Sequence, residues 1–234
     1  MMGMGRGRII LNANRKLIFN DYTVTGDENA FANRIESIYN KLRGLTTNEA
    51  TKVVERLQKL GVSVENFDGN NPTNKVLVSV VTDLIEATVA VIPTFTNISA
   101  IEAVNKHDGV RGSYKESQGK LTLNIAYNKE RDLFMRGMFT TCTQVGTVTH
   151  EFGHAIRSYL HNNHKEAIRV FEEHVTHQKM NALSAYGSID ISNAFAESFS
   201  AFVHGTPRTN KFHRAFENLM AEVGLSTLGN LMHN

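Results

Sequence analysis

The segment His150-Glu151-Phe152-Gly153-His154 constrains this 234-residue chain more than any other stretch. Histidines four apart lie one turn apart on the same face of an α-helix, so both imidazoles can reach one point. Around them Val145, Val148, Phe152, Ile156 and Leu160 recur at helical spacing and predict a helix with an apolar face. Imidazole nitrogens suit zinc at ~2.0–2.1 Å, and a catalytic zinc keeps only three protein ligands so that water can occupy a fourth position. Glu151, beside the first histidine, is then placed to take a proton from that water and later deliver it to a leaving group. A chain with ten histidines can carry such a pattern by chance. Three features argue against chance: the helical apolar pattern, the small Gly153 and Ala155 that permit close packing, and a strand pattern upstream.

Composition narrows the alternatives. Hydrophobic residues make up 41% and charged residues 21%, ordinary values for a chain that buries a core. Cys142 is the only cysteine, which excludes internal disulfides and thiolate zinc sites. The net charge is +2 with no block of like charges, so no nucleic-acid partner is expected. No apolar run approaches the ~18 residues of a membrane span, and the N-terminus lacks a signal-type apolar core. The chain is expected to be soluble and made in a cytoplasm, and either to remain there or to be carried in a virion.

Segments 8–11 and 16–19 are apolar patches in an irregular or short-stranded start. Residues 28–43 place Phe31, Ile35, Ile38, Tyr39 and Leu42 at helical spacing, and a second helix runs from Thr47 to Gly61. The turn-rich Asp68-Gly69-Asn70-Asn71-Pro72 is the best candidate boundary. It divides a helical extension, residues 1–72, from a main domain, residues 73–234. A long helix over 75–91 and a short one over 98–104 are expected next, then a loop over 109–119. Leu121, Leu123 and Ile125 alternate in Lys120–Tyr127, which reads as a half-buried edge strand. Helices follow over 129–161, with a break near Gly137, and over 163–181, 192–204 and 208–223. The expected fold class is α+β, mainly helical with a small mixed sheet.

The third ligand is less direct. A third histidine at the His-x-x-Gly-x-x-His spacing is absent, since Arg157 and Leu160 occupy those positions. His161 lies ~10 Å farther along the helix, and His174 and His177 fall on a polar helix face. Glu197 is the better candidate. It sits among Phe195, Phe199 and Phe202, where an isolated carboxylate costs several kcal/mol unless it meets a cation or strong donors. Zinc, or a zinc-bound histidine, is a natural partner.

The pattern HEFGH at 150–154, SAYG at 184–187 and NAFAESF at 193–199 resembles the Glu-zincins of the anthrax lethal factor-like type and the zincin-like domains of phage head-morphogenesis proteins. The Gly112, Tyr114 and Leu121–Asn124 stretch looks like the sheet of such domains. The resemblance covers roughly residues 90–205. It implies a zincin-like fold with zinc on His150 and His154, Glu151 as the base, and Tyr186 as a hydrogen-bond donor to the tetrahedral oxyanion. In that family the first carboxylate of the E-x-F-A-E helix coordinates zinc and the second supports a ligand histidine. Here the first position is Asn193 and the second is Glu197. Glu197 is the expected carboxylate of the zinc site, with Asn193 open as the ligand in its place. The expected function is zinc-dependent hydrolysis of a protein or peptide substrate. The alternative is a zincin-like virion or assembly protein, partnered by other virion proteins, with weak or no catalysis.

Overall fold

A computed structural model describes residues 10–11, 17–18, 22–127 and 130–233. Half of each patch, 8–11 and 16–19, lies outside them; Ile10–Leu11 (β1) and Leu17–Ile18 (β2) pair antiparallel. Thr23–Val24 (β3) then leads into α1, Glu28–Arg43, and α2, Thr47–Lys59. Asp27 caps α1 through Asn29 and Ala30. Thr46 and Glu49 form a reciprocal capping box on α2. Ser63–Glu65 (β4) follows, and the turn at 68–71 leads through a capping Asn71 and Pro72 into α3, Pro72–Val91.

Helix α3 is apolar nearly all round, which suits a helix buried inside a fold. Its buried hydroxyls are satisfied locally: Ser79, Thr82 and Thr88 each donate 2.7 Å bonds to the carbonyl four residues back. It serves as the crossover between β4 and Ala100–Val104 (β5), which run parallel. The helix expected over 98–104 is therefore a strand. An apolar run this short fits either state by periodicity, and here parallel neighbours on both sides decide it.

The segment read as a loop, 109–119, also contains a strand, Gly112–Lys115 (β6). A 3-10 turn over Glu116–Gln118 and Gly119, at φ 55°, fold it back onto Lys120–Asn124 (β7). The sheet order is β4-β5-β7-β6, mixed, with only β6 antiparallel. Lys120–Asn124 therefore lies inside the sheet and is not its edge. The edge facing the helices is β6. Its few residues, Gly-Ser-Tyr-Lys, carry too little apolar alternation to announce it.

Helix α4 is short, Arg131–Met135, and the break expected near Gly137 widens into a loop that runs to Thr143. Helix α5, Gln144–Asn163, carries the His-Glu-Phe-Gly-His segment and packs against α3, β6 and α7. After α6, Lys165–His177, come α7, Ile191–His204, the short Arg208–Thr209 (β8), which pairs with β3, and α8, Lys211–Glu222. His174 and His177 are exposed on α6. One apolar cluster runs from Tyr39 and Leu57 through α3 and the sheet to α8. The boundary drawn at residue 72 thus falls at a turn between β4 and β5, members of one sheet. Among the described residues no helix is long and apolar enough to cross a membrane.

Two buried histidines make the fold acid-sensitive. Burial, helped by Arg34, pushes His204 down to about 3. Burial, helped by Arg214, pushes His213 down to about 4. The unfolded chain protonates both near 6.5, whereas the folded protein resists until the pH nears those lower values. The unfolded state therefore binds more protons across this window. Stability is full above about pH 6.5 and falls as the pH drops. The urea midpoint of metal-free protein should decline between about pH 7 and pH 4, and His213→Gln should make the decline shallower. A midpoint that is flat over that range would refute this.

Candidate metal centre

The site is built where α5 meets α7, and the approach of these helices is close. A Cβ placed on Gly153 would lie 2.9 Å from Ala196 Cα and 3.1 Å from Phe199 Cβ. Glycine at 153 lets the helices touch nearly backbone to backbone, so that side chains from one reach behind those of the other.

His150 and His154 are both turned by such contacts. Their Nε2 atoms face each other at 3.2 Å. His150 Nδ1 meets Glu197 Oε1 at 2.8 Å, and His154 Nδ1 meets Ser192 Oγ at 3.0 Å. A carboxylate only accepts, so Nδ1 of His150 carries the proton and its Nε2 presents a lone pair. Two nitrogens bound at tetrahedral angle to one ion at ~2.0–2.1 Å stand about 3.3 Å apart. The observed spacing fits that requirement, and the α7 partners on both Nδ1 atoms are those a zinc-bound imidazole uses.

Glu197 stands on the far side of the His150 ring from this point. It is buried, and both oxygens are used: Oε2 accepts from the Thr140 amide at 2.9 Å and from Ser184 Oγ at 2.7 Å. Its geometry is that of a support for the imidazole and not of a direct ligand. Asn193 lies one turn earlier on α7. Asp190, the N-cap of α7, accepts from both the Asn193 backbone N–H at 2.8 Å and its side-chain Nδ2 at 2.9 Å. That leaves the amide oxygen free. Asn193 lies close enough to His150 to raise its pKa. Among the described residues no three His, Cys, Asp or Glu side chains converge as a metal cluster.

The charges around the pair follow from burial. For His150, burial disfavours the imidazolium, but the Glu197 bond and charge, with Glu151 and Asn193, outweigh it and raise its pKa. Burial, with the neighbouring His150 and Arg157, lowers His154 to about 3, so it is neutral and ready to donate a lone pair. Burial pushes Glu151 up to about 7, where a group is balanced between taking and giving a proton. Glu151 packs beneath β6: a Cβ on Gly112 would lie 2.8 Å from its Cγ.

Tyr186 covers the pair, its ring 5.3 Å from that of His150 and 37% exposed. Backbone bonds from Ala185 to Gly137 O and from Tyr186 to Met138 O hold its segment. Burial raises the pKa of its phenol, with Glu151 and Glu197 adding to the effect. Cavities open on both sides of Glu151. One of about 180 Å³ is lined by Arg111, Glu130, Phe139 and Thr147. The other, of about 440 Å³, is lined by Tyr114, His154, Arg157 and Ser192. His161 lies at the second cavity and pairs with Glu172 at 3.1 Å, away from the facing Nε2 atoms.

The structure thus brings His150, Glu151, His154, Tyr186, Asn193 and Glu197 to one place. Ser192, Thr140, Gly112 and Arg111 join them without an advance sign of these roles. Ser184 and Gly112 lay inside quoted motifs, but nothing in the sequence says what they touch. Comparison with family models, with curated proteins and with solved structures returns no match.

Glu197→Ala leaves three buried donors, the His150 N–H, the Thr140 amide and the Ser184 hydroxyl, without an acceptor. At ~1–3 kcal/mol for each unpaired donor, unfolding free energy should fall by about 3 kcal/mol or more. Glu197→Gln, which keeps an acceptor oxygen, should lose less. Denaturant titrations of both variants test this, and an alanine variant as stable as the parent would contradict it.

Proposed function

We propose that this chain is a zinc-dependent peptidase of zincin-like fold, with Glu151 as general base. The observation that carries the reading is the facing pair of Nε2 atoms, 3.2 Å apart, with each Nδ1 tied to α7. His150, His154 and the amide oxygen of Asn193 would hold the ion. When bound, zinc supplies Lewis acidity, lowering the pKa of water and drawing charge from a carbonyl.

The other steps belong to the chain. Among the described residues strand β6 pairs with β7 on one side only, which leaves a row of backbone donors and acceptors unpaired on the other. An extended peptide added along Gly112–Lys115 would be fixed by main-chain bonds. Its scissile amide would then lie over Glu151, between the two cavities and beneath Tyr186. Glu151 takes the proton of the attacking water and delivers it to the leaving amine. Tyr186, whose hydroxyl has no hydrogen-bond partner among the described residues, donates to the oxygen that gains charge, the role of an oxyanion donor. Glu197 and Ser192 hold the two imidazoles in orientation.

One observation favours a second reading, a virion or assembly protein with weak or no catalysis. The third donor is a neutral amide, a weaker zinc ligand than a carboxylate. Stoichiometric zinc without cleavage of a peptide library, or of the chain itself, would support that reading.

Four variants test the reading. Glu151→Gln should keep zinc content unchanged while lowering cleavage by ~10²–10⁴-fold; full activity in that variant would sink the mechanism. Asn193→Asp should tighten zinc binding in a chelator competition and Asn193→Ala should weaken it. Indifference to both would remove Asn193 from the ligand set. Ser192→Ala should weaken zinc by roughly tenfold through loss of the His154 support.

A further inference from the structure

Two arginines in this protein are held in the same way but spend their donors differently. Arg208 is buried. Its Nε bonds Glu28, its Nη1 bonds Phe139 O at 2.9 Å and its Nη2 bonds Phe134 O at 2.7 Å. Its guanidinium lies over the rings of Tyr22 and Phe134. Every arm is used, and the residue is a structural clamp. Arg111 has the same plan up to a point. Its Nε bonds the buried Glu130, and its guanidinium carbon stands 5.0 Å from the ring centroids of both Tyr127 and Phe139. Its Nη1 and Nη2, however, have no hydrogen-bond partner among the described residues, and the side chain is 29% exposed. The residue lines the smaller cavity, together with His150, Glu151 and Tyr186.

A guanidinium fixed by two aromatic faces and one carboxylate, with two donors left over, is preorganised for a planar anion. The cavity, at about 180 Å³, is smaller than the ~300 Å³ at which pockets begin to take whole small molecules. It has room for one side chain or a chain terminus. The proposed donor set, two imidazoles and an amide, is neutral, so a bound divalent cation keeps its full charge and adds to the attraction. We infer that Arg111 is a specificity-determining residue that binds a carboxylate of the substrate beside the scissile bond. The carboxylate belongs either to an acidic side chain or to the free C-terminus of the peptide. This inference rests on the zinc-peptidase reading above.

The test uses binding and not turnover. Zinc-loaded protein is titrated calorimetrically with single amino acids that carry a malonyl hydroxamate on the α-nitrogen, so that the hydroxamate binds the metal and the α-carboxyl stays free or is amidated. Side chains of Glu, Gln and Leu are compared, each with a free or an amidated terminus where the chemistry allows. A charge-assisted bidentate pair should make the acid bind ~10–100-fold tighter than its amide isostere. If the gap follows the Glu side chain, acidic residues are selected; if it follows the free terminus, chain ends are. In the double variant Arg111→Gln/Glu130→Gln, which keeps a neutral hydrogen-bonded pair, the gap should close. In Arg111→Lys it should narrow. Acid and amide are compared within each variant, so a general loss of stability cancels. Equal affinity for acid and amide in the parent, or a gap that persists in the double variant, overturns the inference while leaving the zinc reading intact. Failure to take up zinc or to bind any hydroxamate overturns both.

Discussion

Four separate parts of the chain meet on one carboxylate. Glu197 of α7 accepts from His150 of α5, from the backbone of Thr140 in the loop before α5, and from Ser184 in the segment that carries Tyr186. A buried carboxylate without such donors would be among the most costly groups a fold can hold. With them it becomes a reference point: each donor must come to it, and each brings its own segment into register. The orientation of His150, the path of the loop and the placement of Tyr186 are therefore one constraint and not three.

The neighbouring contacts extend that constraint outward. Thr140 also donates its hydroxyl to the Glu197 carbonyl, and its own carbonyl accepts from Thr206 just past α7. Arg208 holds the same loop at Phe134 and Phe139 and is anchored in turn by Glu28 at the start of α1. The first helix of the chain is thus linked through two side chains to the wall of the cavity. The apolar cluster that includes Tyr39, Leu57 and Val62 makes the same link through packing.

Much of this was legible beforehand, and the part that was not has physical reasons. The long helices are legible from their apolar spacing, and the structure adds the caps that start them at Asp27, Thr46 and Asn71. The two short strands at 100–104 and 112–115 were read as helix and loop. Runs of four or five residues carry no decisive period, and pairing partners distant in sequence settled their state. Placing the edge at Lys120–Tyr127 was a consequence of missing β6. Within the site, the burial of Glu197 could be anticipated from its phenylalanine neighbours. Its partner could not, because a lone carboxylate in apolar surroundings is equally satisfied by an ion or by an imidazole N–H. Ser192 and Thr140 are ordinary residues in the sequence, and their roles come from the close approach of α5 and α7 that Gly153 permits.

Asp190 does two jobs with one carboxylate: it caps α7 at the Asn193 backbone and grips the Asn193 side chain. An asparagine amide has two faces of nearly the same shape, and what distinguishes them is which end finds an acceptor. Here the helix cap makes that choice, so the oxygen is the end turned away from Asp190 only once the first turn of α7 is wound. The start of α7 therefore fixes two things at once, the entry of the backbone into the helix and the face that the Asn193 amide presents.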